Sequence, residues 1–270
     1  MNDIYARAAA DVAREAGQFL KHFSDSHHLD IEHKGGDYDF VTNADRQSQA
    51  LIAGRLRAAF PEHRFVGEED GLPDGEVARR LSVDGDDYCW VCDPLDGTIN
   101  YIHHLGVYAV SVGLVHRGQS IAGAIYLPER DALFCAARGE GATLNGRPIA
   151  ASGCASLREA FVTLDMPQTN LKNREWFLNR LRDAGMAVSS MRMLGSACHA
   201  IAMTACGEAD AYLNLGLHAW DVAAGIVILE EAGGAVSDIW SDPFQFDMKR
   251  GFIGCAPGLK GAFREVVKPE

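Results

Sequence analysis

The residues best suited to chemistry are two acids three positions apart. Asp93 and Asp96 sit in the string Trp90-Val91-Cys92-Asp93-Pro94-Leu95-Asp96-Gly97-Thr98-Ile99-Asn100-Tyr101. An apolar run over 88–92 leads into them and reads as the end of a buried strand. Pro94 fixes its own φ and biases Asp93 toward an extended conformation, and Gly97 lets the backbone come close to a ligand. Paired carboxylates on a stiff turn at a strand end suit a hard cation better than a salt bridge. Mg2+ takes carboxylate and carbonyl oxygens, keeps several waters and shares its shell with phosphates. The same residue types also make an ordinary strand-to-turn junction. The segment after Gly97 reads as a helix start, whose free N–H groups bind phosphate. Gly97-Thr98 would then cradle a phosphate beside the metal, and Thr98 is a fitting N-cap as well.

Three other acidic strings carry two readings each. Gly67-Glu68-Glu69-Asp70 follows a short strand and is either an acidic surface turn or a place where a divalent cation relieves the repulsion of adjacent acids. Thr42-Asn43-Ala44-Asp45 matches the pattern that caps a helix start. Trp220-Asp221 opens a helical stretch, where an acid complements the helix dipole.

Taken together, these strings resemble the signatures of the inositol monophosphatase family of metal-dependent, lithium-sensitive phosphatases. The likeness is carried by D-P-L-D-G-T-x-N-Y at 93–101, G-E-E at 67–69, Asp39-Phe40-Val41-Thr42-Asn43-Ala44-Asp45, and W-D-x-A-A-G at 220–225 with E-A-G-G at 231–234. It runs from about Lys34 to Gly234. The resemblance implies that Glu68, Asp93, the Leu95 carbonyl, Asp96 and Asp221 hold two or three Mg2+ ions. Glu68 would bridge metal and water with Glu69 in support, and Asp45 would hydrogen-bond Thr98 to activate that water. Lys34 matches a basic residue near the metals. Gly195-Ser196-Ala197 looks like the family's substrate-facing turn, Asp221 would also border the substrate, and Arg192 would reach a substrate or a partner subunit. Asn214 is a departure: inositol-hydrolysing relatives carry there a Glu that binds sugar hydroxyls, whereas Asn is uncharged and donates as well as accepts.

No residue is placed as a covalent nucleophile, so direct hydrolysis by in-line water attack is expected. The first expected substrate is inositol monophosphate or a similar polyol phosphate. The alternatives are a 3′,5′-nucleotide bisphosphate, fructose 1,6-bisphosphate or histidinol phosphate on the same fold, or a binding protein that has lost turnover. The resemblance further implies a layered αβαβα sandwich, a homodimer, a requirement for Mg2+ and inhibition by Li+.

The elements that must position these residues follow from periodicity. Helices are predicted over 4–23, from 42 to about 60 before Pro61, and over 174–184, 196–206 and 221–232. Strands at 64–67, 107–115, 120–127 and 132–137, with a type I′ turn at Asn145-Gly146, make an antiparallel meander. Strands at 160–164, 187–191, 209–214, 235–238 and 252–255 alternate with helices, which predicts a layered α/β half. The segment 27–39 reads as a loop or hairpin tip and 71–86 as an exposed excursion. A boundary near 150 divides an antiparallel-rich half, 1–150, from a mixed-sheet half, 151–270.

Composition agrees with a compact enzyme. The 270 residues are 47% hydrophobic, enough for a sizeable core. A net charge of −12 argues against nucleic-acid or anionic-membrane partners, and it means that a bound phosphate would need a cation. No apolar run reaches the ~18 residues of a membrane span, and the first twenty residues hold scattered charges, so a cytoplasmic protein is expected. The seven cysteines show no framework or zinc spacing and read as buried, reduced thiols; Cys89 and Cys92 would point to opposite faces of one strand. The ten histidines are not spaced as a metal site.

Overall fold

The computed structural model describes residues 2–26, 28–33, 40–82, 86–166, 171–239, 244–246 and 251–267. In chain order these form α1 (Asp3–Ser26), β1 (Ile31–His33), β2 (Phe40–Thr42), α2 (Asn43–Ala59), β3 (Arg64–Gly67), α3 (Asp74–Arg80), β4 (Cys89–Asp96), α4 (Thr98–Ile102), β5 (Ala109–His116), β6 (Gln119–Leu127), β7 (Ala132–Ala137), β8 (Ala142–Leu144) and β9 (Arg147–Pro148). They continue with β10 (Phe161–Leu164), α5 (Leu171–Ala187), β11 (Ser190–Met193), α6 (Ala197–Ala205), β12 (Ala211–Leu215), α7 (Ala219–Glu231), β13 (Ala235–Asp238), β14 (Gly251–Cys255) and α8 (Lys260–Val267).

The layers run α, β, α, β, α. Helices α1 and α2 cover one face of a seven-stranded sheet, ordered β3-β4-β5-β6-β7-β8-β9. Helices α6 and α7 fill the space between that sheet and a five-stranded one, ordered β11-β10-β12-β14-β13, and α5 and α8 pack together beyond it. The first sheet is antiparallel except for the β3–β4 pair; in the second, β10 runs parallel to β11 and β12. The meander closes at Asn145 and Gly146, both at positive φ (50° and 76°), as a type I′ turn requires. One apolar cluster joins Ile125 and Phe134 of the first sheet to Ile201, Val227 and Phe252, so a shared core crosses residue 150.

The middle helix layer is thin because its residues are small. Gly113 and Gly123 pair across β5 and β6, and α7 lies in the trough they leave: a Cβ on Gly113 would come within 2.7 Å of the Ala224 nitrogen. Gly225 meets Ile201 of α6 in the same way. This is the close packing that Ala223, Ala224 and Gly225 imply.

Several expectations need correction. The strand through Cys92 does not end in a turn; β4 continues to Asp96, with a register shift against β5 between Asp93 and Asp96. Pro94 has no N–H for the ladder, so the strand bulges there instead of stopping. The segment 71–86 is not simply an exposed excursion: α3 forms within it and buries Val77, and Leu81 is buried just after. The strand predicted at 187–191 lies at 190–193, because α5 keeps its helical course to Ala187. Helix α8 was not anticipated; its Phe263 and Val267, four apart, are both fully buried. The free cysteines are not all buried, since Cys135, Cys154 and Cys206 are only half-buried. Cys89 and Cys92 do fall in different apolar clusters on the two faces of β4.

His199 on α6 gives the fold a pH dependence. It is 5% exposed, its Nδ1 has no hydrogen-bond partner among the described residues, and it lies near the Arg130–Glu208 ion pair. Burial first, and the Arg130 cation second, push its pKa from 6.5 down to about 4. Below pH 6.5 the unfolded chain takes up a proton that the folded chain refuses. The contribution is therefore complete above 6.5 and lost as pH falls through 4, in all about 3 kcal/mol. The melting temperature is expected to drop across that window, and His199→Gln to flatten the drop. An unchanged acid limb in that variant would refute the assignment.

Among the described residues no helix is long and apolar enough to cross a membrane.

Candidate active site

Four acids from three regions of the chain meet beside the N-terminal ends of α6 and α7. Glu68 begins the turn after β3, Asp93 and Asp96 end β4, and Asp221 lies in the first turn of α7. Asp93 and Asp96 are buried; Glu68 and Asp221 are half-buried. Burial, then the charges of Glu68, Asp96 and Asp221, push the Asp93 carboxyl well above the usual range. Burial, then Asp96 and Glu68, do the same to Asp221. Burial also pushes Asp96 up, to about 6, although hydrogen bonds pull against it. Among the described residues, no arginine or lysine stands with the groups acting most strongly on these three.

Each acid is aimed by its local backbone. The bulge at Pro94 turns Asp93 so that its Oδ1 accepts the Leu95 N–H at 3.0 Å, and Ser48 holds the Pro94 carbonyl at 2.9 Å. Asp96 is gripped by the start of α6: its carboxylate accepts the Ser196 hydroxyl, the Ala197 N–H at 3.1 Å and the Cys198 N–H at 2.8 Å. Asp221 accepts the His218 N–H at 2.6 Å, the capping arrangement that the dipole reading predicts. The Gly-Glu-Glu-Asp turn is clamped from α2. Gln49 donates to Asp70 at 2.9 Å and accepts the Glu69 N–H at 2.8 Å, while Asp70 folds back onto the Gly67 N–H.

Beside the acids stands a threonine relay. Thr98 Oγ1 lies 3.1 Å from Asp45 Oδ1 and 3.1 Å from the Leu95 carbonyl oxygen. The other oxygen of Asp45 accepts the Thr42 N–H at 2.9 Å and the Thr42 hydroxyl at 2.6 Å. Asp45 is thus a helix cap and the partner of Thr98 at once. Gly97 enters α4 with φ 92°, and a Cβ there would come within 2.9 Å of the Val107 carbonyl.

The remaining candidates divide. Ser196 touches the cluster, capping α6 and holding Asp96, while Gly195 lies one residue before it, its carbonyl and that of Leu194 bound by Asn100. Ala197 contributes its N–H. Asn214, on β12, is buried and donates to the Tyr212 hydroxyl at 2.9 Å. Arg192 lies exposed on the edge strand β11, donating to Ser190 and the Met191 carbonyl, with its guanidinium over Phe161. Lys34 and Asp39 lie outside the described residues.

Two neighbours escaped the sequence reading. Cys198 brings its sulfur within 4.8 Å of carboxylate oxygens of Asp93 and Asp96, but burial holds its pKa well up and its S–H donates to the Asp221 carbonyl, so it stays a thiol. Asp165 directly follows β10 of the second sheet; an acid directly after an apolar strand, F-V-T-L-D, was the available signal.

The donor set fits a hard divalent cation. Buried and half-buried carboxylates crowd together with no balancing cationic side chain among the described residues, a crowding that protons or metal ions would offset.

Comparisons with known proteins agree. The model of the inositol monophosphatase family matches residues 1–268. An inositol-1-monophosphatase of Mesorhizobium japonicum is 38% identical over 229 residues, covering 84% of this chain and 82% of its own. A fructose-1,6-bisphosphatase/inositol-1-monophosphatase of Aquifex aeolicus is 38% identical, covering 89% and 87%. The crystal structure of the extragenic suppressor protein suhB of Bartonella henselae superposes with a TM-score of 0.87 at 32% identity, covering 97% of both chains. The fold is that of the layered α/β phosphatases among these relatives. The chain belongs to the inositol monophosphatase family, and its enzyme class is phosphoric monoester hydrolase.

Proposed function

We propose that the protein is a Mg2+-dependent phosphomonoesterase that hydrolyses inositol monophosphate or a similar polyol phosphate to the alcohol and inorganic phosphate. The observation that carries this is the Thr98–Asp45 pair standing beside the carboxylate cluster, with the Leu95 carbonyl between them. Glu68, Asp93, the Leu95 carbonyl, Asp96 and Asp221 would hold the ions. A bound divalent ion supplies Lewis acidity toward phosphate oxygens, a more acidic water and a counter-charge for the leaving alkoxide.

The chain's own residues supply orientation. A threonine hydroxyl has one proton. Turned to Asp45, that proton leaves the Thr98 lone pairs free to accept from an attacking water. Asp45 is held by Thr42 and does not swing away. Glu68 accepts the water's second hydrogen bond, so the water is aimed along one line. Gly97, which needs positive φ, lets the backbone approach the phosphate. Gly195, Ser196, Ala197 and Asn214 border the alcohol, with Asp221 at the junction of alcohol and metal. Lys34 and Arg192 remain candidates for charge near the substrate. We further propose a cytoplasmic homodimer of two-part chains, 1–150 and 151–270, inhibited by Li+; the signature strings support the dimer and the inhibition, the charged first twenty residues the location, and the change in element pattern the division.

The Aquifex relative's name favours a second reading, a sugar bisphosphatase. Phosphate release from inositol 1-phosphate, fructose 1,6-bisphosphate, a 3′-phosphonucleotide and histidinol phosphate decides between them. The expected result is Mg2+-dependent release led by inositol 1-phosphate and abolished by EDTA. Release led by another ester changes the substrate; release from none of them overturns the phosphatase assignment.

A further inference from the structure

A second polar network adjoins Asp96 from the side of the five-stranded sheet. Asp165 follows β10 and is 7% exposed. Its Oδ1 accepts the Leu194 N–H at 2.9 Å and the Gly195 N–H at 2.5 Å, and its Oδ2 accepts the Tyr212 hydroxyl at 3.0 Å. Tyr212 is fully buried on β12. Two residues on, Asn214 donates Nδ2–H to the Tyr212 oxygen at 2.9 Å. Asp165 and Asp96 grip successive residues of one turn, Asp165 the Gly195 N–H and Asp96 the Ser196 hydroxyl and Ala197 N–H, which places the network beside the carboxylate cluster.

Proton counting orders this chain of bonds. A phenol has one proton, and a carboxylate accepting three donors takes it. The Tyr212 oxygen then has only lone pairs to offer Asn214, so the amide must turn its nitrogen inward. Its Oδ1 faces the other way, and among the described residues it accepts no hydrogen bond.

We propose that Asp165, acting through Tyr212, is a specificity-determining positioning residue: it fixes the Asn214 amide with its oxygen toward the substrate, so the pocket favours a monophosphate whose alcohol donates hydrogen bonds and disfavours a second phosphate at that place. The inference rests on the phosphatase function proposed above. A hydroxyl brings a proton to Oδ1, whereas a phosphate brings only lone pairs and charge. Two substitutions disturb the order differently. Tyr212→Phe removes the hydroxyl and frees the amide rotor. Asp165→Asn lets an amide donate to Tyr212, whose proton then turns to Asn214 and inverts it.

The test compares kcat/KM for inositol 1-phosphate and fructose 1,6-bisphosphate, with Mg2+, in wild type and both variants. Melting curves establish that each variant is folded, and Tyr212→Phe serves should Asp165→Asn loosen the Gly195 turn. The wild type is expected to prefer the monophosphate. In the variants that preference falls about three- to tenfold, the range of one hydrogen bond, mostly through a higher KM for the monophosphate and not a lower kcat. A purely structural role would lower kcat for both esters alike and leave their ratio untouched; that result overturns the inference while the enzyme class stands. A wild-type preference for the bisphosphate also overturns it. Hydrolysis of neither ester by the wild type overturns this inference, and the phosphatase reading falls with it only if the 3′-phosphonucleotide and histidinol phosphate are not hydrolysed either.

Discussion

An Asp93→Asn protein is expected to lose at least about a thousandfold in kcat and, in EDTA, to melt higher than the wild type. The two effects have one cause. Asp93 is buried among Glu68, Asp96 and Asp221, and its own charge is disfavoured by burial and by each of them. With no ion present, the neutral amide relieves that repulsion at nearly constant volume. With an ion held as proposed, the same substitution would remove a charged oxygen from its shell, and several kcal/mol of transition-state stabilisation would go with it. The order of melting temperatures should therefore reverse when Mg2+ replaces EDTA. Melting curves in both buffers, alongside phosphate release, check this. A variant that keeps activity, or that melts lower than wild type in EDTA, would show that Asp93 is a structural acid.

The second large effect comes from a residue with no side chain. Gly113→Ala would place a Cβ 2.7 Å from the Ala224 nitrogen and 2.8 Å from the Ala223 carbonyl carbon, both backbone atoms of α7. Neither can rotate aside, so the helix must lift from β5. Overpacking of this kind costs about 1–3 kcal/mol. It also moves Asp221, one turn before Ala224 on the same helix, and a displacement of about 1 Å at a reacting centre costs on the order of a hundredfold in rate. Gly54→Ala on α2 is the control, because a Cβ there meets nothing within 4 Å; it should raise stability by about 0.5–1 kcal/mol and leave turnover alone. Equal behaviour of the two variants, in melting and in phosphate release, would refute the argument.

The acids of the site were legible because the strings that carry them are local. Asp93, Asp96, Glu68 and Asp221 each sit in a short motif whose backbone aims them, and the structure brings all four together. The two readings of Asp45 proved compatible, since one oxygen serves the helix cap and the other serves Thr98. What stayed hidden depends on contacts distant in sequence. Asp165 is a lone acid whose partners lie at 194, 195 and 212. The course of β4 past Pro94 depends on β5 accepting a bulge. Helix α3 holds because Val77 and Leu81 join the cluster around Val66 and Val91, which no local pattern reveals.

The acids at 68, 93, 96 and 221 are scattered in an unfolded chain and adjacent only in the native one. A divalent ion drawn to them behaves as a reversible cross-link that closes most of the polypeptide into one loop, with no covalent bond. Held as proposed, it would bind the folded chain and find little to hold in the unfolded one, adding about 2.7 kcal/mol of stability at a hundred times its dissociation constant and progressively less as the buffer is depleted. The melting temperature would in that sense be a property of the solution as much as of the sequence.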